Sequence, residues 1–441
     1  MTAQPRPFGL MFAGLAAPDD DRLAREIGKP FGPMHSSGQG GNERITAGFT
    51  YLGQLIDHDL TFDASSSLAR PANPNAVQNF RTAAFDLDSI YGLGPAIHSH
   101  LYNPQDPRKL AVEQRGQDVP RLGSGVAVIG DPRNDDNVIV SQLLTAFINF
   151  HNEVVDQIGG TFEEAQRSVQ WHYQWIVLHK YLPKIVGFST QHIFQNSPQR
   201  FWYGNNPPFI PVEFSLAAFR FGHSQIRARY DINSDVQGKG LSIFPDLDGH
   251  QPVPPLRRVD WSFFFNSGGA MTAQPSLPIH PFLAAPLFSM PAQSLGLPPN
   301  ADPVLLSLAY RDIRRGQLRD LPSGHDIAAK IGLKRQEIVP ADLIWSKVKQ
   351  RLVRAGSQYD PTGQPVPLFL YVLFEAQELA NSKHLGPLAG RIVSDVFIGL
   401  LKGDPDSFLS VNPNWTPQFG SNGDFDITDL LELARQQQNK L

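Results

Sequence analysis

The sequence predicts a mainly α-helical protein that folds as a single large domain, with long irregular segments rich in proline and glycine and little β-structure. Apolar residues recur at helical spacing in four segments, whereas few segments alternate between apolar and polar residues as strands do. The 441-residue length would by itself suggest about three domains. No internal repeat or low-complexity tract divides the chain, so one body is expected.

The helical periodicity is clearest in segments that follow one another along the chain. Helices are predicted over residues 50–62, 137–158 and 163–186, and one or two more within 368–401, broken near Asn381 and Gly390.

Two further segments frame these helices. Residues 1–30 contain an apolar run that follows a single arginine and is interrupted by Gly9 and Gly14, which is untypical of a signal peptide. We therefore predict an N-terminal arm that packs on the body formed by residues 31–441. Residues 232–303 are rich in proline and glycine with interleaved aromatic residues, and they are expected to wrap on the core.

The composition narrows the classes of function. With 41% apolar residues, 18% charged residues and a net charge of −4, the chain fits an ordinary globular protein and lacks the basic character of a nucleic-acid-binding protein. No run of 18 apolar residues occurs, so no membrane span is predicted. Cysteine is absent, which excludes disulfides and thiolate-bound metals or haem. Metal or cofactor chemistry therefore depends on carboxylates and the 13 histidines.

The first polar motif is YLGQLIDHDLTFD, which begins at Tyr51. On a helix, Gln54, Asp57 and His58 share one face, and Asp59 points about 100° away. This is either a polar stripe facing solvent, or a histidine held in an apolar pocket as a general acid–base with Asp59 serving a cation behind it.

The second motif is the acidic turn TAAFDLDSIYG at residues 82–92. Asp86, Asp88 and the Thr82 hydroxyl alternate as oxygen donors, which suits Ca²⁺, although the spacing is not that of an EF-hand. A capped turn explains the same residues without a metal.

The third motif is GDPRNDDNVIV, which leads into a long apolar helix. Asp135 and Asp136 suit the positive end of a helix dipole. Arg133 is fixed by the preceding proline and the following helix, and a fixed arginine beside a histidine stabilises a developing oxyanion.

The fourth motif, AFRFGHSQIR, places Arg220 and His223 among aromatic residues and glycine. His223 is either a hydrogen-bonded core residue or an axial haem ligand held through its second ring nitrogen.

Together the four motifs resemble the animal-type haem peroxidases of the peroxidase–cyclooxygenase superfamily, the relatives of myeloperoxidase and lactoperoxidase. GQLIDHDLTF is similar to that family's distal helix, and DLDSIYG, GDPR, AFRFGHS and LPSG (residues 321–324) follow in the family order. HLGPLAGRIVSDVFIGLL is typical of its bacterial branch. The resemblance covers about residues 8–416, and it implies a large helical domain that buries haem b or an ester-linked haem.

The resemblance also implies roles for individual residues. His58 corresponds to the distal histidine that moves the proton of H₂O₂, Arg133 to the distal arginine and Gln54 to the glutamine beside the distal water. His223 corresponds to the proximal iron ligand. The remaining implied contacts are those of the haem propionates with Arg220 and Arg315, and those of Ca²⁺ with Asp59, Thr82, Ala84 (through its carbonyl), Asp86 and Asp88.

Several positions depart from the family pattern. Asp57 matches the aspartate that forms an ester with a haem methyl, but Asp136 replaces the usual glutamate, which puts the second ester in doubt. Asn137 replaces the methionine that forms a sulfonium link. Asp312 aligns with the asparagine that contacts the proximal histidine. A carboxylate there is expected to push His223 toward imidazolate and to lower the iron reduction potential.

The leading functional hypothesis is H₂O₂-dependent oxidation of small organic donors or halides, in keeping with a role in the response to oxidative stress. The alternatives are a fatty-acid dioxygenase and a calcium-stabilised binding protein without catalysis. Dioxygenases carry a radical-forming tyrosine three residues before the proximal histidine, where this chain has Arg220 flanked by Phe219 and Phe221. No nucleic-acid partner is expected, and the oligomeric state and the compartment stay open.

Overall fold

The computed structural model describes residues 6–62, 77–190, 192, 194, 208–266 and 272–441. The prediction of a mainly α-helical fold is confirmed. In chain order, the helices of the first half are α1 (Asp21–Gly28), α2 (Ala47–Leu60), α3 (Asp88–Tyr91), α4 (Val138–Ile158), α5 (Phe162–Trp175), α6 (Leu182–Val186) and α7 (Gly222–Gln225). Those of the second half are α8 (Leu308–Leu318), α9 (Gly324–Lys330), α10 (Ala341–Arg354), α11 (Leu368–Leu379), α12 (Pro387–Gly403), α13 (Phe408–Val411) and α14 (Ile427–Gln438).

In the described part of the chain, β-structure is confined to short pairs and isolated bridges. The strands are β1 (Arg6–Pro7), β2 (His35–Ser36), β3 (Gln78–Asn79), β4 (Arg229–Tyr230), β5 (Leu241–Ser242) and β6 (Leu283–Ala284). β1 pairs with β3 and β4 with β5 in antiparallel register, and β2 pairs with β6 in parallel register. These pairs fasten irregular segments to one another.

Helix α4 forms the centre of the core. It is long and apolar enough to cross a membrane, but its residues from Val138 to Val155 are all buried inside the protein, as in the core helix of a globular protein. The Asn137 side chain caps it by accepting from the Val140 N–H. Helices α2, α5 and α14 pack against it, so the distal motif on α2 is supported by the central buried helix.

Apart from shifts of up to three residues at helix ends, the helices differ from the sequence prediction in two places. The segment predicted at 163–186 is helical throughout but widens into a π-helical stretch at Ile176–Tyr181, between α5 and α6. The predicted break at Gly390 is wrong, because Gly390 lies inside α12; the interruption falls between Leu379 and Pro387, where Asn381 adopts a positive φ of 50°.

The proline- and glycine-rich segment is packed on the core, as its aromatic residues indicate. Phe263, Phe264 and Phe265 are at most 5% exposed. The Phe264 carbonyl accepts from the Gly48 N–H at the start of α2, and the Gln274 carbonyl accepts from the Ala47 N–H. This irregular segment therefore holds the N-terminus of the helix that carries His58.

Candidate functional site

A cavity of about 340 Å³ lies between α2, the turn that precedes α4, α7 and α8. Its size falls within the range of small-molecule and cofactor pockets. Its wall includes every residue predicted to act in catalysis or to bind the cofactor, except Asp312: Gln54, Asp57, His58, Arg133, Asp136, Arg220, His223 and Arg315. Asp312 contacts His223 directly.

Helix α2 presents Gln54, Asp57 and His58 to the cavity, as the helical spacing predicts. The Asp57 carboxylate accepts from the Thr61 hydroxyl at 3.3 Å, one turn further on. The Gln54 carbonyl oxygen accepts from the Asn137 amide at 3.3 Å. Asn137, the residue that departs from the family's methionine, thus ties α4 to the distal face of α2.

His58 is 5% exposed, and its Nδ1 lies 2.8 Å from Oδ1 of Asn134. Burial, and next the positive charge of Arg133, lower the pKa of His58 to about 4. The imidazole is therefore neutral at pH 7 and able to accept a proton.

Arg133 is fixed by Asp131, which is fully buried and caps the 3₁₀ turn Pro132–Asp135. Nε and Nη2 of the guanidinium donate to the two Asp131 carboxylate oxygens at 3.1 and 2.7 Å. Nη2 also donates to the carbonyls of His58 and Thr61. The ring of Phe62 lies 4.8 Å from the guanidinium carbon. The arginine is thus held in one orientation beside His58.

Arg81 is a positioning residue that the sequence analysis missed. Its guanidinium pairs with Asp131, donates to the His58 carbonyl at 3.1 Å and lies 3.5 Å from Asp88. It therefore links the acidic turn to the distal helix and to the partner of Arg133. The only signal in the sequence is an arginine that directly precedes the acidic motif.

His223 and Asp312 meet although 89 residues separate them in the chain. Nδ1 of His223 lies 2.6 Å from Oδ2 of Asp312, a fully buried carboxylate. Nη1 of Arg220 lies 3.9 Å from the other Asp312 oxygen, and its Nε donates to the Ser215 carbonyl at 2.8 Å. Arg220 therefore contacts the carboxylate behind His223 as well as the cavity.

Asp136 also faces the cavity, and its carboxylate lies 3.7 Å from Nε2 of His250. Burial raises the pKa of Asp136 to about 7. Its neighbour Asp135 is turned the other way and forms a buried ion pair with Arg121, with distances of 2.7 and 2.8 Å. The two aspartates therefore have separate partners.

The remaining cations of the cavity are Arg315 and Arg319. Arg319 is the cavity arginine that the sequence analysis missed, since it lies just beyond α8 where the motif gives no spacing to follow. A cavity with two histidines, several arginines and an apolar lining fits a haem, whose iron takes an imidazole and whose carboxylates suit guanidinium groups.

The acidic turn packs beneath α2 and brings Asp59, Asp86 and Asp88 together, with one oxygen from each lying within 4.8 Å of the others. Asp59 is fully buried, and neither of its carboxylate oxygens has a hydrogen-bond partner in the part of the chain that the structure describes. Burial and the neighbouring Asp86 and Asp88 charges raise the pKa of Asp59 well above its usual value, and burial raises that of Asp88 to about 8.

The same turn is ordered by its own hydrogen bonds. The Thr82 hydroxyl donates to Asp86 at 2.6 Å and its N–H donates to Asp88 at 3.0 Å, while Ala84 lies between them in the turn. A buried carboxylate without a partner is costly. The arrangement fits an oxygen-coordinated cation such as Ca²⁺.

The chain is similar to known haem peroxidases in sequence. The animal haem peroxidase family matches residues 57–247. Dog thyroid peroxidase is 23% identical over 381 residues, which is 76% of this chain and 38% of that protein. A peroxidase-like protein of Margaritifera margaritifera is 25% identical over 206 residues, 41% of this chain and 26% of that protein. The chain thus spans less than two fifths of the length of these relatives.

The fold is similar to those of two kinds of solved enzyme. Peroxidase A of Dictyostelium discoideum has a TM-score of 0.65 at 16% identity, and the match covers 92% of this chain and 88% of that protein. A fatty acid alpha-dioxygenase of Oryza sativa has a TM-score of 0.63 at 14% identity, and the match covers 99% of this chain and 79% of that protein. The family match around the distal and proximal motifs and the sequence similarity to curated peroxidases support the peroxidase–cyclooxygenase superfamily for this chain, and the solved structures share its helical fold.

Proposed function

We propose that this protein is a haem-dependent peroxidase that uses H₂O₂ to oxidise small organic donors or halides. One observation carries the proposal: two histidines from different helices, His58 and His223, line the same cavity, and each engages a buried polar side chain through Nδ1. This arrangement leaves Nε2 of both rings for a cofactor and its substrate.

The bound haem would supply the redox chemistry of peroxide reduction. In this proposal His223 would hold the iron, and Arg220, Arg315 and Arg319 would hold the propionates. Asp57 and Asp136 are the carboxylates available for ester links to the haem. Asp57 is the better placed of the two to form an ester from the distal side, because it reaches the cavity from α2, the helix that carries His58.

The distal residues divide the work on peroxide. Neutral His58 accepts a proton from H₂O₂ and returns it to the departing oxygen as water forms, which is general acid–base catalysis. Arg133, held by Asp131, presents a fixed positive charge that stabilises the developing negative charge on that oxygen. The Gln54 amide donates hydrogen bonds to water or to a halide substrate at the same face.

We further propose that Ca²⁺ occupies the cluster of Asp59, Asp86 and Asp88, with Thr82 and the Ala84 carbonyl completing the ligands. The support is the pair of unpartnered, fully buried oxygens of Asp59. Because Asp59 directly follows His58, a cation there would fix the distal helix itself.

A second candidate is a fatty-acid dioxygenase, favoured by the structural likeness to rice alpha-dioxygenase over nearly the whole chain. The position three residues before His223 is Arg220, which cannot form a phenoxyl radical. Two other tyrosines could in principle form such a radical, but neither lines the cavity. Tyr310 donates to Asp21, and the ring of Tyr230 packs edge-on against Tyr51. Tyr51 and Tyr181 line the cavity and are the tyrosines to examine if palmitic acid proves to be a substrate.

The test is haem reconstitution followed by addition of H₂O₂. We expect a Soret band, and a rapid change of that band with peroxide. His58→Gln should retain the haem but react with peroxide roughly 10²- to 10⁴-fold more slowly, the usual contribution of general acid–base catalysis. His100→Gln, a change of an exposed histidine, is the matched control.

Each alternative has its own signature. A Soret band that peroxide leaves unchanged, in a protein that takes up O₂ with palmitic acid, would establish the dioxygenase instead. Failure to bind haem at all would leave the non-catalytic binding protein as the correct class.

A further inference from the structure

Asn134 is the side chain that contacts His58 on the side of Nδ1. Its Oδ1 lies 2.8 Å from Nδ1 of His58, and the two residues are 76 positions apart in the chain. Asn134 is fully buried and His58 is 5% exposed, so water does not compete for this hydrogen bond.

The backbone around Asn134 is clamped on both sides. The turn Pro132–Asp135 begins at Asp131, whose side chain accepts from the Arg133 N–H and whose carbonyl accepts from the Asn134 N–H at 3.0 Å. The next residue, Asp135, is held by the buried ion pair with Arg121. The carboxamide is therefore presented to His58 from a rigid support.

The hydrogen-bond chemistry then selects one form of the imidazole. A carboxamide oxygen only accepts, so the neutral ring must carry its proton on Nδ1 and leave a lone pair on Nε2. The Asn134 Nδ2 group has no hydrogen-bond partner among the described residues, so the bond to His58 is the only side-chain hydrogen bond that they give this amide. An unpaired buried amide group costs free energy. An asparagine that served only to stabilise the fold would be expected to pair it.

From this geometry we propose that Asn134 is a positioning residue that fixes His58 in the Nδ1–H tautomer, with the basic Nε2 directed to the cavity. The inference deepens the proposed peroxidase function and rests on it for its catalytic consequence. In the opposite tautomer Nε2 carries a hydrogen and cannot take the proton of H₂O₂, so the distal base would be lost without any change in the fold.

The tautomer is measured directly on the haem-loaded protein. We propose long-range ¹H–¹⁵N correlation spectra of ¹⁵N-histidine-labelled protein in its diamagnetic, reduced and CO-bound form, with His58→Gln to assign the signal. The wild type should show His58 with a protonated Nδ1 and a bare Nε2. Asn134→Leu, which removes the acceptor, should give a mixture or the reverse tautomer. Asn134→Asp retains an acceptor at the same place and should restore the Nδ1–H form.

The rate of reaction with H₂O₂ follows the tautomer. Asn134→Leu should slow it at least tenfold, since it removes part of the roughly 10²- to 10⁴-fold general-base contribution, and Asn134→Asp should recover a measurable share. The matched control is Asn149→Leu, a fully buried asparagine of α4 that donates to the Gly116 and Thr145 carbonyls and does not contact His58. It should leave the tautomer and the rate unchanged.

The two proposals fail separately. An Nε2–H tautomer in the wild type, or a tautomer that Asn134→Leu does not alter, overturns the role of Asn134 even if the protein reacts with peroxide. An Nδ1–H tautomer that depends on Asn134, in a protein inert to peroxide, retains the positioning role and overturns the peroxidase.

Discussion

At the scale of single residues, the proximal side of the cavity combines two opposed effects. Asp312 places a buried carboxylate 2.6 Å from Nδ1 of His223, which increases the electron donation of that ring to a bound metal. Arg220 lies 3.9 Å from the same carboxylate and offsets part of its charge. The balance of these two side chains is therefore expected to set the reduction potential of the bound haem iron.

This balance gives a paired prediction of opposite sign. Asp312→Asn exchanges a hydrogen bond to a charged acceptor for one to a neutral acceptor, a difference of about 1 kcal/mol. That corresponds to an upward shift of about 40 mV for a one-electron couple. Arg220→Leu leaves the carboxylate less neutralised and should lower the potential. Spectroelectrochemical titration of the Fe(III)/Fe(II) couple measures both.

The readout separates an electronic role from a merely structural one, because lost packing would shift both variants in the same direction. No upward shift in Asp312→Asn would disprove the proposed push on His223.

Sequence reasoning reached these residues unevenly, for reasons of distance along the chain. Gln54, Asp57 and His58 share one helix face, so helical periodicity alone predicts that they lie together. Asn134 meets His58 across 76 residues, and no local pattern encodes such a contact. Asp312 was placed opposite His223 only by the family resemblance.

At the scale of elements, the acidic turn and α2 form one unit through Arg81. Its guanidinium reaches Asp88 of the turn, the His58 carbonyl of α2, and Asp131, the partner of Arg133. A change at the acidic cluster is therefore transmitted to both distal residues through a single buried side chain. The sequence predicted the helix and the turn separately, but the contact between them depends on tertiary packing.

The cation proposal predicts a reversal of stability in Asp59→Asn. Binding to the folded state stabilises the wild type by about 2.7 kcal/mol when free Ca²⁺ is 100 times its Kd. Without Ca²⁺ the wild type must either protonate its fully buried Asp59 or leave it ionised beside Asp86 and Asp88, and both cost free energy, so the variant should melt at the higher temperature. With Ca²⁺ the wild type should melt higher, because the variant has lost a charged ligand.

Thermal melting with EDTA and with added Ca²⁺ measures this reversal, and Asp406→Asn, a change of an exposed carboxylate, is the control. A wild type whose melting temperature is the same in both conditions would contradict the calcium site. So would a variant that responds to Ca²⁺ as strongly as the wild type.

At the scale of the whole molecule, buried polar side chains fasten distant segments to the helical core. Glu213 is fully buried and accepts from the N–H groups of Met11 and Phe12 at 2.9 Å, across about 200 residues of chain. The sequence suggested contact between the N-terminal segment and the body from its apolar residues, but it gave no sign of this carboxylate. Composition shows which segments prefer burial, whereas the partner that holds each one is determined by the assembled fold.

His172 fastens the C-terminal segment in the same way and predicts an acid-sensitive stability. The ring is fully buried; Nδ1 donates to the Ser168 carbonyl, and Nε2 accepts from the N–H groups of Gln418 and Phe419. Burial lowers the pKa of His172 to about 4, against about 6.5 in an unfolded chain. The folded state therefore binds fewer protons between these values, and stability present above pH 6.5 is lost as the pH falls towards 4, by about 3 kcal/mol for this group.

His172→Gln can make the same hydrogen bonds without titrating, so its free energy of unfolding should fall less steeply with falling pH, with a difference in slope of up to about 1.4 kcal/mol per pH unit. Urea unfolding of haem-loaded protein between pH 4.5 and 7.5 measures the slope, and exposed His100→Gln should match the wild type. Equal slopes in His172→Gln and the wild type would show that protonation of this ring does not govern the attachment of the C-terminal segment.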